Sequence, residues 1–174
     1  MSLRQILTEP NKILRQKSEP VDKVDSDLQK LMDDMLETMY AAPGIGLAAI
    51  QVGIPKRVIV LDIGSKDGPR NPIFFINPEI IEKSTNNSTY EEGCLSVPGQ
   101  FAEIDRPDKC HVKYLDYHGQ AKEIKAEGML ATCIQHEIDH LEGILFIDYL
   151  SKLKKSMIIK KLSKHKKEIE RIVV

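Results

Sequence analysis

Two histidines four residues apart on the inward face of one helix constrain this chain more than any other feature. In His136-Glu137-Ile138-Asp139-His140 the 3.6-residue turn of an α-helix stacks both imidazoles on one side. Met129, Cys133, His136 and His140 follow an i, i+4, i+7, i+11 course, so the histidines continue an apolar stripe and point into the protein. Two imidazoles so arranged can share one metal ion, and Glu137, one position round, reaches a water on that ion without being a ligand. The same periodicity predicts a helix over residues 129–141, closed by Gly143.

Around this helix the hydrophobic period changes along the chain. A first helix opens near Ser26 and carries Leu28, Leu31, Met32, Met35, Leu36 and Met39 at spacings of three and four, stopping before Pro43. The glycine-flanked run Gly44 to Gly53 reads as a loop or edge strand. Strands are predicted at Arg57–Ile63, Ile73–Asn77, Glu79–Lys83, Cys110–Tyr117 and Ala121–Ala126, the last two joined as a hairpin across His118 and Gly119. A final helix begins at about Ser151. Helix, then strands, then helix argues for an α+β fold and against a doubly wound sheet.

A catalytic site for a dication needs three protein ligands and one open position. A third histidine six residues beyond His140 would complete one known extension of the pattern, but Phe146 stands there. The downstream glutamates, Glu168 and Glu170, lie in a lysine-rich segment. Cys94 is the better candidate, in a short extended segment bracketed by Gly93 and Pro98. The other cysteines, Cys110 and Cys133, are far apart in sequence and give no disulfide pattern. Cys133 is the one conceivable fourth ligand, which would make the metal structural.

Three segments together resemble the bacterial-type peptide deformylase family. Its motifs GxGLAAxQ, EGCLS and HExDH appear in order at Gly44 to Gln51, Glu92 to Ser96 and His136 to His140. The resemblance implies small antiparallel sheets around a central HExxH-bearing helix, and removal of the formyl group from the N-terminal formyl-methionine of new polypeptides. It implies Cys94, His136 and His140 as metal ligands, Glu137 as proton shuttle, and the Gln51 side-chain amide and Leu95 backbone N–H as donors to the formyl oxygen. Gly44, Ile45, Gly46 and Cys133 are then candidates for holding the peptide and its methionine. One thiolate with two imidazoles suits zinc or ferrous iron, and affinity order alone favours zinc. The resemblance implies Fe(II), with zinc, nickel or cobalt as substitutes.

Two other readings stay open on the residues: a small HExxH metallopeptidase cutting internal peptide bonds, and a non-catalytic protein with a structural metal. Charge bears on the latter. Between Lys152 and Arg171 stand nine basic and two acidic residues, net +7, while the rest of the 174-residue chain carries −8. The chain therefore reads as a catalytic domain over 1–150 with a basic C-terminal helix, 151–174, packed on it. That helix is a candidate for docking on ribosomal RNA, and no DNA partner is expected. No apolar run reaches the roughly 18 residues that span a bilayer. The first residues also lack a signal-peptide stretch, so a cytoplasmic protein without membrane contact is expected.

Overall fold

Helix α1, Ser26–Ala41, starts where the Asp25 side chain accepts a hydrogen bond from the Leu28 N–H at 3.0 Å, and its predicted stripe is buried except for the half-buried Leu36. The computed structural model describes residues 2–64 and 68–172 of the chain. After α1 come β1 (Gly46–Ala48), a single 3₁₀ turn (Ala49–Val52), β2 (Val58–Leu61), β3 (Ile73–Lys83), β4 (Asn87–Cys94), β5 (Val97–Pro107), β6 (Lys109–Leu115), β7 (Ala121–Glu127), α2 (Gly128–Leu141) and α3 (Lys152–Ile172).

Five strands form one antiparallel sheet in the order β1-β2-β3-β6-β7, and β4 and β5 form a second. Alternation along β2 explains why both faces of the larger sheet are covered. Val58 and Val60 pack with Leu31, Met32, Met35 and Met39 of α1, whereas Ile59 and Leu61 pack with Ala131, Ile134 and Leu141 of α2. Helix α2 is thus packed against the larger sheet and against β4 and β5, and the fold is α+β.

Two strand readings need correction. The predicted pair Ile73–Asn77 and Glu79–Lys83 is the single strand β3. Pro78 has no N–H and Asn77 takes a φ of 50°, so pairing with β6 shifts between Ile76 and Glu79, yet the strand continues past the defect. The longest antiparallel pair, β4 with β5, is absent from the sequence reading except for its Cys94 end. In β4 the inward-facing positions hold Ser88, Tyr90, Glu92 and Cys94, a polar series that lacks the apolar alternation of a half-buried strand.

Helix α3 lies on β5 and on the 3₁₀ turn Phe146–Tyr149, with Leu162, Ile158 and Ile159 against Val97, Ile104 and Ile147. Beyond Leu162 its described side chains are mostly exposed and charged. Residues 173–174 of the anticipated tail lie outside the described residues. No described helix is long and apolar enough to cross a membrane.

Candidate active site

β4 delivers Cys94 to the face of α2 that carries the two histidines. The Cys94 Sγ lies 3.3 Å from His140 Nε2, and the imidazole centroids of His136 and His140 are 5.0 Å apart. Donor atoms of these three residues lie within 4.8 Å of one another, the single such group among the described residues. Ligand atoms of a tetrahedral thiolate-imidazole site stand about 3.5 Å apart, given bonds of roughly 2.0–2.3 Å. The donor set therefore fits a dication. Cys133 is outside the group, and burial pushes its thiol up to about 12. Among the described residues no fourth ligand of a structural site joins the three.

The free ring nitrogens are set by their surroundings. His136 donates from Nδ1 to Glu92 Oε1 at 2.8 Å, which leaves Nε2 for the metal. Burial acts to raise the Glu92 carboxyl, but hydrogen bonds from His136 and Arg106 outweigh it and hold the group below its ordinary value. Burial pushes His140 well below the usual imidazole range, keeping it neutral, the ligating form. Its Nδ1 has no hydrogen-bond partner among the described residues.

Behind Glu92 stands Arg106 of β5, 3% exposed. It donates Nε and Nη2 to the two Glu92 oxygens at 2.7 and 3.0 Å and Nη1 to Asp139 at 2.8 Å. Asp139 also accepts from the Tyr149 hydroxyl at 2.7 Å, and the guanidinium sits 4.8 Å from the Tyr149 ring centroid. A buried charge needs such a set of partners. Asp139, which faces away from the histidine stripe, is an ion-pair partner and not a ligand.

Glu137 closes the opposite side. Its Oε2 is buried without a partner, and burial pushes the carboxyl up to about 7, a value suited to exchanging a proton near neutrality. Gly46 explains itself here, since a Cβ at this position would collide with Glu137 Oε1. Gly44 is similar, because a Cβ there would lie 2.7 Å from Leu95 Cδ1. The two glycines allow close approach.

Gln51 closes its own loop and still faces the site. Its Oε1 accepts from the Ala48 N–H at 2.9 Å, while Nε2 donates to Ser96 Oγ at 3.0 Å and lies 3.6 Å from Cys94 Sγ. Leu95 and Ser96 form the two-residue turn between β4 and β5, with Cys94 opposite Val97, which takes the Leu95 amide out of the ladder. A cleft of about 490 Å³ opens above these groups. Gly44, Ile45, Gly46, Leu95 and Cys133 all line it, together with Phe101, Met129 and Thr132. Met129, head of the inward stripe, is exposed at its mouth.

The sequence matches the family described as Polypeptide deformylase over residues 3–156. The chain belongs to this family. It is 66% identical over 174 residues to a peptide deformylase of Pelagibacter ubique (strain HTCC1062), covering all of both chains, and 58% identical over 171 residues to one of Maricaulis maris (strain MCS10), covering 98% of each. The crystal structure of a peptide deformylase from Ehrlichia chaffeensis in complex with actinonin superposes with a TM-score of 0.91 at 48% identity, over 95% of this chain and 98% of that one. The alternative of an enzyme cutting internal peptide bonds finds no support in these matches.

Glu92, Ser96, Arg106 and Tyr149 join the site although the sequence reading gave them no role. Glu92 and Cys94 are two apart on one strand, and Arg106 shares a face with the buried Ile104. A charged residue in an inward-facing strand position was the available signal.

Proposed function

We propose that Glu137, Gln51 and Leu95 perform the chemistry on a formyl group presented to an ion held by Cys94, His136 and His140. Family membership makes the activity metal-dependent hydrolysis of the N-terminal formyl group, and the convergence of Cys94 with the two histidines is the observation that carries the residue roles. A dication held by these three residues would supply an acidified water, its pKa lowered from 15.7 toward about 7, and positive charge to polarise the formyl group. Glu137 takes a proton from the water as the water oxygen bonds to the formyl carbon, and returns that proton to the amine nitrogen as the C–N bond breaks, releasing formate. Gln51 Nε2 and the Leu95 N–H donate to the oxygen as charge develops, each contributing about 3 kcal/mol.

The edge strand β1 suits main-chain pairing of Gly44 to Gly46 with an extended substrate, which reads backbone and leaves later side chains unselected. Ile45, Leu95 and Cys133 surround the methionine side chain. The substrates are formyl-methionyl nascent chains, met in the cytoplasm, with α3 as a basic docking surface for the ribosome and the membrane uninvolved. Fe(II) is the working ion, with zinc, nickel or cobalt as substitutes, supported by a donor set soft enough for each.

Purified protein incubated with formyl-Met-Ala-Ser is expected to release formate and leave the unformylated peptide intact. Cys94→Ala should lose both metal and activity. Normal metal content in that variant would overturn the ligand set, and equal anaerobic turnover by zinc and ferrous forms would overturn the choice of iron.

A further inference from the structure

One hydroxyl in the cleft has no task in the reaction described above. Thr132 of α2 lines the cleft yet is 4% exposed, and its Oγ1 is shielded from water with no hydrogen-bond partner among the described residues. Leaving such a group unsatisfied costs about 1–3 kcal/mol, and valine would fill the same space without that cost. A helical threonine ordinarily finds relief at the carbonyl one turn back, here that of Gly128, but Oγ1 makes no such bond. The side chain beside it in the chain, Cys133, keeps its proton because burial raises its thiol, and Met129 offers only a weak acceptor.

We infer that Thr132 Oγ1 donates a hydrogen bond to the thioether sulfur of the substrate's methionine side chain. The pocket then reads a sulfur atom as well as an apolar chain of the right length. Threonine in a helix has two χ1 wells, so the hydroxyl can turn into the cleft at small cost when substrate arrives. A thioether is a weak acceptor, but a substrate side chain that fills the pocket brings its sulfur to a hydroxyl that has no existing bond to give up. The inference rests on the deformylase reading of this cleft.

Norleucine isolates the effect, because a CH₂ replaces the sulfur while the length is kept and apolar burial nearly cancels in the comparison. The test is the ratio of kcat/KM for formyl-Met-Ala-Ser to that for formyl-norleucyl-Ala-Ser, followed as formate release. Wild type is expected to prefer methionine by about three- to tenfold, the range of one neutral hydrogen bond. Thr132→Val, with the shape and no donor, should bring the ratio close to one, and Thr132→Ser, which restores the donor, should keep it near the wild-type value. Equal use of the two peptides by wild type, or an unchanged ratio in Thr132→Val, overturns the inference and leaves the deformylase reading standing. Failure to release formate from either peptide overturns both.

Discussion

The two helices of the C-terminal third are built on opposite terms. In α2 nine of fourteen residues are buried, among them both histidines and Glu137, whereas in α3 one of twenty-one is buried. The site sits where packing fixes each side chain from several directions: the five-stranded sheet beneath, β4 with its cysteine in front, Arg106 and Asp139 behind. Helix α3 is held mainly by Leu162 and its neighbours and presents charge to solvent beyond them. The lesson is that proximity in sequence to the site does not confer a share in it.

That contrast can be broken in three places, in order of expected effect. Glu137→Gln should lower kcat/KM by about 10²–10⁴-fold, the usual contribution of a proton shuttle, with metal content equal to wild type. Metal loss in this variant would move Glu137 into the ligand set. Arg106→Ala leaves the Glu92 carboxylate buried with the His136 N–H but without its balancing positive charge, and should destabilise the fold by about 3–5 kcal/mol, read as a drop in the urea midpoint. Arg106→Lys should recover little, since lysine cannot reproduce the fork that holds both Glu92 oxygens and Asp139. A midpoint close to wild type in Arg106→Ala would mean that α2 does not depend on the β5 side. The smallest effect is expected from ending the chain after Ser163, which keeps Leu162. Turnover of short formyl peptides should stay within about twofold, because changes to an exposed surface are usually within about 0.5 kcal/mol. A tenfold loss would give α3 a role in the site.

The legible parts of the fold were those whose apolar residues follow one period. The α1 stripe, the continuous Val58–Leu61 run and the β6–β7 hairpin needed only local arithmetic, and so did the orientation of His136 and His140. β4 failed that arithmetic because its inner face is spent on Tyr90, Glu92 and Cys94, residues that make sense only once α2 and Arg106 are beside them. The same holds for the helper groups. Ser96 and Tyr149 act on Gln51 and Asp139 from 45 and 10 residues away, and nothing local in the sequence marks such partners. Recognition of the three motifs supplied Gln51 and Leu95, which composition and spacing alone would have left as a loop polar group and a turn residue.

The register of β4 has a further consequence. Tyr90 on the cleft wall, Glu92 behind a histidine and Cys94 beside the two histidines occupy alternate positions of one strand, so three tasks share one spacing of two residues. A slip of the β4–β5 pairing by a single residue would turn all of them outward together and bring Glu91 and Gly93 in their place. The hairpin is therefore more sensitive to length than to identity: a substitution at one of these positions spoils one task, whereas a single-residue insertion or deletion between Cys94 and Val97, where the turn sets the pairing, displaces pocket wall, orienting carboxylate and cysteine in one event.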